Sequence, residues 1–285
     1  VPRASQLETP LVLGLGVVTI SFAAILIKLT NAPSLVVAAW RMAIATTVLL
    51  PFALLKKPPL PRRGRALAAL AGVFLAFHFA LWIESLRHTT VASSVVLVTT
   101  NPIFVGIFSA LFGERPSREL WQGIVLSVIG GVLIGWGDFA LGGRALLGDA
   151  LALLGAVAAS AYLLAGRRMR LHGELLPYVA LAYGTSALLL LVGTLALPAP
   201  KLPGGIDWLW VALLALGPQL LGHTSLNWAL RRIPASAVAV AILGEPVGAA
   251  LWAYLVFGER IEALQGVGMA LVLLGIARAM RAVRL

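Results

Sequence analysis

The chain has 285 residues, 60% of them hydrophobic and only 12% charged, a formal net charge of +11 and no cysteine. Its mean hydropathy of +0.97 excludes a soluble domain, in which about a quarter of residues carry charge, and the missing cysteines exclude disulfides, thiolate metal sites and thiol nucleophiles. A bilayer core about 30 Å thick takes roughly 20 apolar residues per helical crossing, so this length accommodates about ten crossings.

Val1 to Pro10 carries Arg3 and Glu8 ahead of an apolar run with no small-residue cleavage pattern, so the first span itself is expected to serve as the insertion signal. In chain order the apolar runs predict spans at 11–29, 35–55, 66–86, 91–112, 120–136, 148–165, 175–196, 208–230, 235–257 and 263–281. The first contains no acid, and the second carries Trp40 and Arg41 near one end. The third puts Phe74, His78 and Trp82 on one face with Ser85 beside it, and the fourth is interrupted at Asn101-Pro102. Tyr162 lies in the sixth. In the eighth, Gln219, His223 and Asn227 follow each other at i, i+4 and i+8, a polar stripe about three turns long. The ninth is interrupted at Glu245-Pro246.

The two halves repeat each other. Gly113-Glu114-Arg115 and Gln122-Gly123 return as Gly258-Glu259-Arg260 and Gln265-Gly266; Asn101-Pro102 returns as Glu245-Pro246, and Leu86-Arg87 as Leu230-Arg231. Five spans lie before Gly137-Asp138 and five after, and an odd number inverts the second copy. The fold expected is therefore an all-α membrane protein of ten transmembrane helices, built as two inverted five-helix repeats, 11–136 and 148–281, around a central cavity. With the N-terminus inside, Arg3, Lys56, Lys57, Arg62, Arg63, Arg65, Arg115, Arg118, Arg167, Arg168, Arg170, Arg231, Arg232, Arg278, Arg281 and Arg284 share one face. Only Arg87, Arg144, Lys201 and Arg260 fall on the other. Both termini are thus expected in the cytoplasm. The basic excess is accounted for by topology, so nucleic acid is not an expected partner; membrane lipid and a small-molecule substrate are, and a homodimer is left open.

The stretch from Leu243 through Glu245, Pro246, Gly248, Trp252 and Tyr254, continuing into Gly258-Glu259-Arg260 and Gln265-Gly266, resembles the drug/metabolite transporter superfamily and its paired EamA domains. In general appearance it is most similar to the YddG-type exporters of amino acids and related metabolites. The resemblance implies helices one to four and six to nine around a central cavity, with five and ten peripheral, in a bacterial inner membrane. It also implies export of small metabolites, amino acids and possible aromatic ones among them, by alternating access without a cofactor; proton-coupled efflux of multiple drugs or cationic compounds is the alternative on the same fold. Smaller relatives carry a proton-coupling glutamate in the first helix. Here that helix has none, so facilitated movement stands beside antiport.

Lipid offers no water, so polar side chains within spans must face protein or an aqueous chamber. His78 and His223 are near-equivalent under the repeat; they either line the chamber as hydrogen-bonding groups or fix helix packing at about 0.6 kcal/mol each. They show no metal-ligand spacing with His88 or His172. Pro102 and Pro246 each remove a helical donor and are expected to kink their spans, providing helix breaks for gating. Asn101 and Glu245 directly precede them, positioned to bond loosened backbone or to face substrate, and Glu245 is the only carboxylate deep in a span, hence the candidate for proton coupling. Glu84 is expected near the wetted external end. Substrate contacts are expected from His78, Trp82, Asn101, Tyr162, Gln219, His223 and Asn227. Trp40 is either a cavity wall or an interface anchor, and Arg41 either binds an anionic substrate or snorkels outward. Gly14, Gly16, Gly130 and Gly131 read as close-packing positions. The chain holds no Walker motif, the serines at Ser93 and Ser94 have no sequence-visible base, and the stripe in the eighth span argues against a scaffold. An enzyme is not expected.

Overall fold

The computed structural model describes residues 3–56, 60–111, 113, 116–134, 136, 143–171, 173–197, 202–258 and 261–282. Val1, Pro2, Lys57, Phe112, Glu114, Arg115, Gly137, Asp138, His172, Lys201, Glu259, Arg260 and Arg284 lie outside the described residues.

The first crossing is α1 (Arg3–Ile20) followed by α2 (Ala23–Lys28). At the break between them Ser21 Oγ donates back to Val18 O at 2.7 Å and accepts from Trp252 Nε1 at 2.9 Å, while Phe22 stacks on Trp252. Such back-bonding bends helices. The second and third crossings are α3 (Ser34–Leu54) and α4 (Arg62–Ser85), the latter started by Pro61, whose fixed φ suits a helix entry. The fourth is divided into α5 (Val91–Val98) and α6 (Asn101–Leu111), and the fifth is α7 (Arg118–Ile134). The second half repeats this with α8 (Arg144–Arg170) and α9 (Leu175–Thr194). Then α10 (Asp207–Leu214), a π-helix (Ala215–His223) and α11 (Thr224–Ala229) make the eighth crossing. The ninth is α12 (Ala235–Ile242) with α13 (Glu245–Phe257), and the tenth is α14 (Ala263–Ala282).

Among the described residues nine segments are long and apolar enough to cross a membrane. The remaining crossing, the fifth (α7), has 17 residues and reaches about 26 Å, slightly under the hydrocarbon thickness; it starts at Arg118 rather than at the expected position 120. Large apolar side chains such as Phe77, Leu188, Leu255 and Leu274 stand exposed around the bundle, as they must where the solvent is lipid.

Packing follows one symmetry. α8 lies on α4 as α1 lies on the π-helix and α11; α5 and α6 lie on α8 as α12 and α13 lie on α1; α9 meets α4 as α3 meets the π-helix. Two pairs map onto themselves, α3 with α9 and α7 with α14. Exchanging the halves leaves the arrangement unchanged, which is a pseudo-twofold. In the α7–α14 pair a Cβ on Gly123 would come within 2.7 Å of Gly275 O, and one on Gly130 within 2.5 Å of Gly268 O. Rising numbers in α7 meet falling numbers in α14, so these equivalent helices run antiparallel and the axis lies across them, in the membrane plane. The repeated Gln-Gly pair explains itself here. Gln122 Oε1 accepts from Arg278 Nε at 2.9 Å, and Gln265 Nε2 donates to Ile134 O at 3.4 Å, so each glutamine ties one end of its helix to the partner repeat. Gly130 is thus a close-packing position, as is Gly16 against Ser225 and Gly222, whereas a Cβ on Gly14 would meet nothing within 4 Å.

Candidate functional site

The site begins with the two helix breaks. Pro102 and Pro246 have no N–H to offer the carbonyls of Val98 and Ile242. The chain tightens instead: Thr100 N–H bonds Leu97 O at 3.2 Å, and Leu243 and Gly244 bond Val240 O and Ala241 O at 3.1 and 3.0 Å. Each proline becomes the second residue of a new helix, where the missing donor costs nothing. The expected kinks are therefore complete breaks, and the residues beside them, Val98, Thr99, Asn101, Ile242 and Glu245, border a cavity.

That cavity has a volume of about 40 Å³, and its walls come in symmetry-related pairs. His78 faces it from α4 and His223 from the π-helix; Trp82 pairs with Leu226, Val98 with Ile242, and Asn101 with Glu245. Ile20 and Ala23 from the first crossing are matched by Ala159, Tyr162 and Leu163 from the sixth. The space thus sits on the pseudo-twofold axis between the repeats. Its chemistry is asymmetric, because an amide in one repeat stands opposite a carboxyl in the other. At this size it holds about three waters.

His78 Nδ1 lies 3.0 Å from Gly155 O, a carbonyl, so Nδ1 carries the proton and Nε2 is the free acceptor of the neutral ring. Its ring stacks on Trp82 at 5.9 Å and stands 6.4 Å from His223. Asn101 accepts from Ser160 Oγ through its main-chain oxygen at 3.1 Å. Its side-chain Oδ1 and Trp82 Nε1 are buried without a protein partner, which leaves two polar atoms available to whatever occupies the cavity. Glu245 is 7% exposed, and the charge acting on it through space is Arg41.

Gln219 and Asn227 do not face the cavity, and the expected single stripe is divided. Pro218 cannot serve the carbonyl of Leu214, and i→i+5 winding passes that carbonyl to the N–H of Gln219. Gln219, within this π-wound segment, is fully buried and accepts from Arg41 Nε at 2.9 Å. Asn227 stands one layer behind the wall. Its Nδ2 lies 2.5 Å from Tyr162 OH, 2.8 Å from His223 O and 3.4 Å from Tyr183 OH, so it positions two residues that do line the cavity. Arg170 Nε donates to Asn227 O at 3.3 Å.

Arg41 does not snorkel: it is 0% exposed, with its guanidinium 3.9 Å over the Phe79 ring. Trp40 packs edge-on to Trp208 at 4.9 Å instead of walling the cavity. Glu84 pairs with His88 at 2.9 Å and is 43% exposed, a wetted end position. Sequence reasoning did not name the wall residues Ile20, Ala23, Val98, Thr99, Ala159, Leu163, Leu226 and Ile242 or the second-layer Phe79 and Tyr183; the repeat displacement applied to Trp82 points to Leu226, and i−3 spacing from Tyr162 points to Ala159.

The sequence pattern of the EamA-like transporter family matches residues 10–136 and 146–280. The chain is 29% identical over 251 residues to the pseudopaline exporter CntI of Pseudomonas aeruginosa, covering 84% of each chain. It is 26% identical over 249 residues to the uncharacterized inner membrane transporter YedA of Escherichia coli K12, covering 86% of this chain and 80% of YedA. An uncharacterized transporter of Archaeoglobus fulgidus is 25% identical over 271 residues, 94% of both chains. A solved crystal structure superposes with a TM-score of 0.81 over 99% of each chain at 20% identity, a likeness of fold. With its two matched repeats and the cavity on the axis between them, the chain belongs to the EamA-like transporter family and is an integral membrane transporter, not an enzyme.

Proposed function

We propose that the protein exports small metabolites, amino acids foremost, across a bacterial inner membrane, the repeats 11–136 and 148–281 rocking about the cavity with both termini in the cytoplasm. The observation that carries this reading is the position of the cavity: it lies between antiparallel repeats, walled equally by both, where either side can be opened by moving one against the other. The names of two relatives, an exporter and an inner membrane transporter, support it. His78, Trp82, Asn101, Tyr162 and His223 contact the substrate, Asn227 positions Tyr162 and His223 from behind the wall, and the breaks at Pro102 and Pro246 are the gating joints. The present volume is too small for an amino acid, so loading requires the walls to part.

Purified protein in liposomes should move a labelled neutral amino acid, and His78→Ala should slow it while the protein remains folded. Liposomes as tight as empty ones to a broad amino-acid panel would reject the substrate class. Glu245 favours a second reading, proton-coupled efflux of cationic or multiple drugs, because a carboxyl on the cavity wall complements a cation. Flux of a cationic dye that responds to an imposed pH gradient, with amino acids inert, would select it.

A further inference from the structure

Arg41 leaves α3 for the protein interior and is 0% exposed. Its Nε donates to Gln219 Oε1 at 2.9 Å, and its plane lies over Phe79. Both terminal nitrogens, Nη1 and Nη2, are buried with no hydrogen-bond partner. So is Gln219 Nε2, which must turn outward because Oε1 is committed to the guanidinium. The result is a buried cluster whose guanidinium edge presents donors alone, with the Tyr183 hydroxyl beside the Gln219 amide. A guanidinium stripped of water and left unpaired is among the costliest groups a protein can hold, and Glu245, a buried carboxyl that acts on it through space, does not meet its nitrogens. A planar, acceptor-only group with two oxygens fits the free edge of the fork.

The cluster stands one aromatic layer behind the cavity. Phe79, under the guanidinium, meets His223 edge-on at 5.3 Å, and His223 lines the cavity wall. Displacing these two rings joins the cavity to the donors.

We propose that Arg41 and Gln219 form an anion site behind the aromatic wall that takes the carboxylate of the transported metabolite as the cavity widens. This rests on the export reading and names the chemistry it selects: a monovalent anion, held on the substrate or free in solution. The free ion is chloride, and the two sources are separable.

Gln219→Glu places a carboxylate on the guanidinium, satisfying it from within, so this variant is expected to fold at least as stably as the wild type; Arg41→Met, which replaces the charge by an apolar chain of similar length, is the second variant. In liposomes the wild type should move L-phenylalanine at least tenfold faster than its carboxamide, and both variants should bring that ratio below twofold. In detergent, L-phenylalanine should raise the unfolding temperature of the wild type and not of Gln219→Glu, with the carboxamide inert in both. An undiminished ratio in a folded variant overturns the proposal. Stabilisation by chloride over isethionate, without discrimination between acid and amide, assigns the cluster to a free ion and overturns the carboxylate assignment. If wild-type liposomes move neither compound, the export reading fails and the thermal arm alone decides: no shift with L-phenylalanine then overturns the anion site as well.

Discussion

Asn227 gives the sharpest test of how the second layer holds the cavity. Its amide has two hydrogens and three oxygens within reach, Tyr162 OH at 2.5 Å, His223 O at 2.8 Å and Tyr183 OH at 3.4 Å, so the two nearer acceptors are served and the third is secondary. Only the bond to Tyr162 crosses from one helix to another at full strength. Hydrogen bonds of this kind in membrane proteins average about 0.6 kcal/mol and reach at most about 1.7 kcal/mol. Asn227→Ala removes both short bonds from a fully buried site and should cost on the order of 1–2 kcal/mol. A double-mutant cycle with Tyr162→Phe isolates the shared bond and should return a coupling of about 0.6 kcal/mol, the signature of two residues acting as one unit. Unfolding titrated with dodecyl sulfate in mixed micelles measures the energies, and amino-acid flux in liposomes gives the functional counterpart: each single variant slows flux, and the double variant slows it no further. A coupling below about 0.2 kcal/mol, with losses of flux that simply multiply, would refute the idea that Asn227 works through Tyr162.

Glu245→Gln tests coupling to protons. If Glu245 carries them, an imposed pH gradient accelerates wild-type flux and leaves the variant at its basal rate; equal responses would remove Glu245 from that role. At the α7–α14 contact a Cβ on Gly130 would stand 2.5 Å from Gly268 O and 2.7 Å from Val272 N, so Gly130→Ala should destabilise by about 1–3 kcal/mol through overpacking. The neighbouring Gly131→Ala, with its nearest atom 3.7 Å away on Val96, should be close to neutral, and micelle unfolding compares the two. At the opposite end of the bundle from most arginines, Arg87 donates to Ser34 Oγ and Ala32 O, and Asp207 accepts from Asn31 N at 3.2 Å. Arg87→Met should therefore speed amide hydrogen exchange across residues 29–33, and unchanged exchange there would show that the loop is held by other contacts.

The fold was legible because duplication wrote it twice. The displaced pairs Asn101-Pro102 and Glu245-Pro246 mark both helix breaks, and the paired Gln-Gly motifs mark the ends of the helices that meet across the axis. Six of the expected substrate-facing or coupling residues do border the cavity, namely His78, Trp82, Asn101, Tyr162, His223 and Glu245. What failed was facing, wherever it depended on an undisturbed 3.6-residue period. Spacing of i+4 puts Gln219, His223 and Asn227 on one side of a regular helix, but the segment from 215 to 223 is π-wound around Pro218, and Gln219 is held by Arg41 from α3 while Asn227 is held by Tyr162 from α8. Arg41 itself was ambiguous for a related reason. A long cationic side chain near a span end reaches water or the interior with equal ease, and the acceptor that decides it, Gln219, is 178 positions away in the chain.

Pro218 also bears on how the two repeats share the work. If the chain alternates as proposed, a perfectly duplicated protein would have inward and outward states related by the axis and equal in energy, since each repeat would adopt the other's shape. This chain departs from that limit by its sequence. α4 has no proline within it and runs as a regular helix through Ala71, Leu75 and Phe79, while its counterpart, which holds Pro218, is π-wound from Ala215 to His223. The winding cannot be traded between repeats, because only one of them lacks the N–H that causes it. The same holds for the polar walls: Asn101 and Glu245 occupy equivalent places with different chemistry, and the buried guanidinium, stacked on Phe79 of α4, donates its hydrogen bond to Gln219 of the π-wound segment. Duplication supplies two helix breaks and a chamber between them, and under the proposed alternation these substitutions would make the two states unequal in energy when the chamber is empty. A substrate that contacts Glu245 or Arg41 then shifts the balance only by its differential affinity for the two states, so selectivity and the direction of the resting state rest on the same few unduplicated residues.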